Sequence, residues 1–145
     1  MIDVNKEIKA AILAKDSVRL ASLRAIKTAF MMAETEKGAG DLTTEAQLKI
    51  IQKQVKQRKD AAVIYQEQGR AELAEDEMAQ VVVLESFLPA QISDEEIENV
   101  VKVIIENLGA SSIADMGKVM GVASKQLSGK ADGKVIATKV RQLLA

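Results

Sequence analysis

The side chains in this sequence whose spacing suggests chemistry are lysines. In SSIADMGKVMGVASKQLSGKADG, residues 111–133, Lys118, Lys125 and Lys130 stand among four glycines, with only Asp115 and Asp132 as acids. A helix over 112–127, turning about 100° per residue, gathers Ile113, Met116, Met120, Ala123 and Leu127 into one apolar stripe. Lys118 and Lys125, seven residues apart, then share the opposite face. Gly117 and Gly121 flank the stripe, four residues apart. Two glycines inside a helix cost roughly 1 kcal/mol each relative to alanine, so something should approach the backbone closely there. Either another helix packs tightly against them, or a phosphate or RNA backbone rests on the bare helix. Lys130 in the following loop, and Lys134 and Arg141 on a last helix, add cations with no acid among them. The set read as nucleic-acid-binding is therefore Lys118, Lys125, Lys130, Lys134 and Arg141, with Gly117 and Gly121 for backbone approach.

Catalysis has little to work with. The chain has no cysteine and no histidine, hence no thiol nucleophile, no imidazole base and no Cys/His zinc site. An enzyme would have to use Asp, Glu, Lys, Ser, Thr or the single Tyr65. Asp94, Glu95 and Glu96 could be read as a metal or acid–base cluster. Crowded into the first turn of a helix, they are better explained by the positive end of its dipole. No catalytic residue, metal or cofactor is expected.

The elements that must position the lysines are helical. With 48% hydrophobic residues but only 2% aromatic, and one proline, the chain is rich in Ala, Lys, Glu, Gln, Leu and Ile, which are helix formers. No apolar run approaches the ~18 residues needed to span a bilayer. The N-terminal MIDVNKEIK is charged early and lacks an apolar core, so no signal peptide is expected there and the expected location is cytoplasmic. Charge is segregated. Residues 1–70 carry 13 bases and 9 acids, residues 71–108 carry Lys102 against 10 acids, and residues 109–145 carry 6 bases and 2 acids. Such a pattern suggests an acidic mid-section and a basic C-terminal unit with a different partner; ordinary solvated helix faces would produce it too.

In chain order, Asp3 can cap a helix over 3–15 with Val4, Ile8, Ala11 and Ile12 on one face. Asp16 can cap a second, about 17–37, carrying Leu20, Leu23, Ile26, Ala29 and Phe30, which GAGD at 38–41 breaks. Thr44 with Gln47 fits a capping box for a third helix, about 44–68. There Leu48, Ile51, Val55, Ala62 and Tyr65 share a register with Arg58, which suggests a partly buried, paired arginine. The basic run KQVKQRKD, 53–60, reads as a solvated face or a nucleic-acid contact. Gly69 suits the C′ position. A fourth helix, about 70–88, places Leu73, Val81, Leu84 and Leu88 inward. Pro89 disfavours helix at Leu88, and Ser93 with Glu96 makes a second capping box. The fifth helix, 94–108, has the stripe Ile97, Val100, Val101, Ile104, Ile105 and Leu108, ended by Gly109. Ser112 and Asp115 can cap the sixth, and a last helix, about 133–144, points Ile136, Val140, Leu143 and Leu144 inward. The fold class is all-α, with an N-terminal helical bundle or pair of hairpins over 1–90 and a C-terminal three-helix domain over 91–145.

FLPAQISDEEI, GASSIADMGKVMG and GKADG, in that order, resemble the signature of the GatB/YqeY family, and KQRKDAAVIYQEQGRAEL resembles its N-terminal half. The resemblance covers nearly the whole chain. It implies a free-standing, all-helical YqeY-like protein. Its C-terminal domain would be similar to the tail of the GatB subunit of the tRNA-dependent Asp/Glu amidotransferase, where that tail contacts tRNA. Such proteins are often labelled with carbon–nitrogen ligase activity using glutamine as amide donor. That reaction needs a glutaminase serine–lysine centre and an ATP-using core, and no phosphate-binding glycine loop is evident here. What the resemblance carries over is Lys118 in DMGKVMG and Lys130 in GKADG. After Gly121 the chain reads VASKQLSGK, where many relatives have a proline and more basic residues.

Three readings follow. The first is an accessory protein that binds tRNA, or associates with the amidotransferase or another translation-related protein, through backbone phosphates. The second is a helical protein–protein adaptor with no RNA role. The third is an enzyme with a carboxylate or lysine centre, which requires a pKa-shifted group in a cleft.

Overall fold

The computed structural model describes residues 1–36 and 40–145. Among them are seven α-helices, one 3-10 turn and no strand, so the chain is all-α. The expected break at GAGD falls partly on 37–39, outside the described residues. The chain divides into two compact units, Met1–Leu88 and Pro89–Ala145.

In the first unit, α1 (Val4–Leu13) starts where the Asp3 carboxylate accepts the Lys6 N–H at 3.1 Å. Helix α2 (Ser17–Glu36) starts where Asp16 accepts the Arg19 N–H at 3.0 Å. Both aspartates occupy donors that a helix start leaves unpaired. For α3 (Thr44–Glu67) the cap is Thr43, one residue earlier than the capping box predicts; its hydroxyl accepts the Ala46 N–H at 3.1 Å. Gln47 is buried instead, and its Oε1 accepts the Ile2 N–H at 3.4 Å. Thr43 and Thr44 are chemically equivalent caps, and burial of Gln47 decides between them. Helix α3 ends at Gly69, whose φ of +73° belongs to the left-handed region. There the Arg70 N–H reaches the Tyr65 carbonyl and the Gly69 N–H the Gln66 carbonyl, at 2.8 and 3.1 Å.

The chain returns as α4 (Ala71–Glu85), antiparallel to α3. Arg58 on α3 pairs with Glu77 on α4 at 3.3 Å, both about a fifth exposed, as its register predicts. Leu73, expected inside, is 41% exposed, and Ala74 takes the buried position. Consecutive residues on a helix point about 100° apart, so with Ala74 turned inward Leu73 is carried away from the core. The core is Ala11, Leu23, Ile26, Phe30, Ile51, Val55, Val81 and Leu84. Arg19 fastens its edge, bonding Glu7 at 3.0 Å and lying 5.1 Å from the Phe87 ring centroid.

The second unit packs three helices on one another. Ser93 caps α5 (Asp94–Leu108) by accepting the Glu96 N–H at 3.2 Å. Gly109, at φ +64°, ends it with a bond from the Ala110 N–H to the Ile105 carbonyl. Helix α6 spans Met116–Gln126 and α7 spans Gly133–Leu144. Asp132 caps α7, accepting the Lys134 N–H at 3.0 Å. Ile97, Val101, Ile104, Val119, Ala123, Leu127, Ala131, Ile136, Val140 and Leu144 form the core. Leu108, at the end of the predicted stripe, is 46% exposed.

Met116, Met120, Ala123 and Leu127 of the expected α6 stripe do pack in this core, while Ile113 departs from it. A 3-10 turn, Ile113–Asp115, precedes α6 and breaks the 100° progression, leaving Ile113 48% exposed. Val119, outside the expected stripe, is fully buried with Ala123. The expected Ser112 cap makes no side-chain bond. Asp115 reaches backward instead, accepting the Ser111 N–H on Oδ2 at 3.0 Å. That bond is the main reason the Asp115 carboxyl is held below the usual 3.8, with the Ser112 N–H and the Lys118 ammonium helping and desolvation opposing.

Two outcomes test this register. Val119→Ala should lower stability by about 2 kcal/mol in urea denaturation, whereas Ile113→Ala should change it by less than about 0.5 kcal/mol; the reverse order would put Ile113 in the core. The lowered Asp115 pKa means its contribution is complete above the unfolded value and is lost as pH falls through the lower folded value. Amide exchange at Ser111 should therefore lose protection only below pH 3.8, and Asp115→Asn should remove most of that pH dependence.

Candidate nucleic-acid interface

Burial of Val119 and Ala123 fixes how α6 is turned about its axis. The opposite side carries Lys118 and Lys125, both exposed, about 10.5 Å apart along the axis and offset by about 20°. Gly121 lies between them, three residues after Lys118 and four before Lys125, so the three form one ridge. Gly117 is one turn back from Gly121. Both glycines are exposed, and a Cβ added at either would meet nothing within 4 Å. Tight helix–helix packing, one of the two reasons expected for them, is therefore corrected. Their backbone faces open space.

Lys130 sits in the connection between α6 and α7. Its backbone is held on both sides: the N–H donates to the Leu127 carbonyl at 2.9 Å, and the carbonyl accepts the Ile92 N–H at 3.1 Å. The Gln91 amide also reaches the Gly129 carbonyl at 2.6 Å. With Gly129 and Ala131 buried on either side, Lys130 is left exposed on a fixed loop. On α7, burial of Ile136, Val140 and Leu144 turns Lys134 and Arg141 outward onto one exposed column. Thr138, between them at one helical turn from each, is not among the residues expected from the sequence. The same i, i+4, i+7 spacing would find it, but its hydroxyl is already donated to the Lys134 carbonyl at 2.9 Å.

The structure thus places Lys118 and Lys125 on one ridge, Lys134 and Arg141 on a second, and Lys130 on the loop joining the two helices. Among the described residues none of the five makes an ion pair, although Lys118 lies close enough to Asp115 to act on its carboxyl. Lys139 differs. It faces α5, 4.0 Å from Glu98. Helix α5 carries Asp94, Glu95, Glu96, Glu98 and Glu106 against Lys102, so the acids of this unit are concentrated on α5. Asp94, Glu95 and Glu96 are exposed in the first turn of α5. Among the described residues no three acidic side chains are grouped to hold a metal ion. What unpaired cations on exposed ridges can do chemically is attract phosphate.

The family model described as Yqey-like protein matches residues 2–144. Among curated relatives, altered inheritance of mitochondria protein 41, mitochondrial, from Pyrenophora tritici-repentis is 29% identical over 95% of this chain and 77% of its own length. The protein of the same name from Clavispora lusitaniae is 30% identical over 84% of this chain and 70% of its own length. A shorter match joins 58% of this chain to 11% of a glutamyl-tRNA(Gln) amidotransferase subunit from Thermococcus gammatolerans, at 32% identity. These findings bear out the expected family, and the Thermococcus match supports part of the expected amidotransferase relation. They overturn the cytoplasmic location, because the relatives matched over most of the chain are mitochondrial by name. The expectation rested on the lack of an apolar leader, and mitochondrial leaders are amphipathic and basic rather than apolar. No helix of the described residues is long and apolar enough to cross a membrane. With a family model matched from residue 2 to residue 144, the chain belongs to the YqeY-like family.

Proposed function

We propose that this chain is an accessory RNA-binding protein whose C-terminal unit holds tRNA by its phosphates, along Lys118, Gly121 and Lys125 on α6 with Lys130, Lys134 and Arg141 beside them. One observation carries the reading: the bare backbone at Gly121 faces open space between Lys118 and Lys125, neither of them in an ion pair among the described residues, and Gly117 leaves the preceding turn bare as well. Two mid-helix glycines reduce helix stability and here fill no packing role, so their use is sought in a bound state. Without a side chain, a phosphate can come within reach of both lysines at the helix surface. The name of the Thermococcus relative, an amidotransferase acting on glutamyl-tRNA, supports tRNA as the RNA and amidotransferase association as the setting. The chain would then assist the amide transfer and not perform it. With no Trp and two Phe, base stacking contributes little, and recognition rests on shape and phosphate position.

Such binding is salt-dependent, with log K falling by about 0.7–0.9 per phosphate contacted for each unit of log salt. Fluorescence anisotropy with labelled bulk tRNA should show this slope for the wild type. A Lys118/Lys125/Lys134/Arg141→Gln variant, shown folded by circular dichroism, should lose about 3 units of slope and most of its affinity. Gly117→Ala with Gly121→Ala should do two opposite things, raising thermal stability by roughly 1 kcal/mol per site while weakening tRNA binding. A Kd indifferent to salt, or equal in the quadruple variant, would sink the phosphate reading. An absence of binding at low salt would favour the adaptor.

A further inference from the structure

The α3–α4 hairpin leaves an apolar groove uncovered on the first unit. Its floor is Ala62 and Ala74, both buried, and its walls include Val63 and Met78, which are 57% and 42% exposed. The groove holds about 450 Å³. Val82, one turn beyond Met78, is 70% exposed and prolongs the apolar line. Apolar side chains gathered this way on a hairpin mark a surface that gains by being covered.

What covers it is indicated by the charges along α3. Lys59, Val63 and Glu67 follow one another at intervals of four residues, and all three line the groove. They form a column of cation, apolar side chain and anion, each step about 6 Å along the axis. That order is its own complement when reversed. Placed antiparallel about a two-fold axis through Val63, each Lys59 meets the partner's Glu67, and each Val63 meets its own copy. Lys59 already bonds Glu85 at 3.1 Å while remaining about half exposed. Its ammonium has three donors, so a second carboxylate can be added without breaking the first pair. The small floor residues allow close approach of helices, and the unbranched Met78 adapts to the opposing surface. We infer that this groove is an isologous homodimer interface, in which two α3–α4 hairpins pack antiparallel across a two-fold at Val63. An unrelated helix of one charge sign would be repelled at one end of the column. A second copy is matched at both.

Charge reversal tests this without relying on any one variant. Sedimentation velocity over a concentration series should show reversible dimerisation of the wild type. Glu67→Lys alone sets lysine against lysine at both ends, and Lys59→Glu alone sets glutamate against glutamate. Each should raise the dimer Kd by about tenfold or more, because like charges are juxtaposed twice per dimer. The double variant should dimerise again. So should an equimolar mixture of the two single variants, where every pairing becomes opposite in sign; this mixture keeps the test valid even if loss of the Lys59–Glu85 bond lowers monomer stability. Residues 59 and 67 are two turns apart within one chain, so a structural role could not produce rescue on mixing. A wild type that stays monomeric at millimolar concentration would overturn the inference. A dimer unaffected by both single reversals would overturn it too, by placing the two-fold elsewhere.

Discussion

Three valines, one on each helix of the C-terminal unit, determine what that unit shows to solvent. Val101 on α5, Val119 on α6 and Val140 on α7 are fully buried and belong to one core. A helix has a single rotational setting about its own axis. Burying one β-branched side chain therefore sets the direction of every other side chain along it. Turning α6 by the width of one residue would bring Lys118 toward the core, where an unpaired ammonium is strongly disfavoured. The exposed ridge of Lys118, Gly121 and Lys125 is thus a consequence of Val119. The outward column of Lys134 and Arg141 follows in the same way from Val140. With 2% aromatic residues and no cysteine, the chain relies mainly on such aliphatic contacts to hold these settings.

The two glycines of α6 show how the same residues can answer opposite structural questions. In tightly crossing helices, glycine removes a side chain that would keep two backbones apart. Here, apart from the chain neighbours and the backbone of α6 itself, no atom of the described residues lies within 4 Å of the missing Cβ at either position. Their destabilising effect on the helix is therefore not offset by packing within the chain. By contrast, Gly69 and Gly109 are required by the fold itself, since each ends a helix at a positive φ that other residues adopt at a steric cost.

Charge is organised at two scales. In the C-terminal unit, acids gather on α5 and bases on the outer faces of α6 and α7, with Lys139 and Glu98 meeting between α5 and α7. In the N-terminal unit the sorting is finer. Arg58 is consumed by Glu77 inside the hairpin, while Lys59, its neighbour in sequence, sits on the rim of the apolar groove. The basic run 53–60 is therefore not one surface. Consecutive residues on a helix point about 100° apart, so a cluster in sequence is distributed among a partly buried pair, a groove edge and open solvent.

Much of the local architecture was legible in the sequence because it depends on neighbours in the chain. Asp3, Asp16 and Ser93 cap their helices through contacts three residues away, and Gly69 and Gly109 stop helices by their own backbone freedom. The all-α class and the family follow from composition and from motifs such as DMGKVMG. Long-range facts were not legible. Thr43 and Thr44 are equal candidates until burial of Gln47 against the Ile2 N–H chooses between them. Leu73 and Ala74, about 100° apart on the helix, cannot both face inward, and Ala74 is the one buried. The 3-10 turn at Ile113–Asp115 takes Ile113 out of the stripe before α6 begins, and there Asp115 bonds backward to Ser111. By itself the sequence determined which segments are helical and several of the caps that bound them, since those energies are local. Only the tertiary structure decided which face each helix buries, because that rests on the shape and volume of residues far away in the chain. The same decision left the glycines of α6 bare.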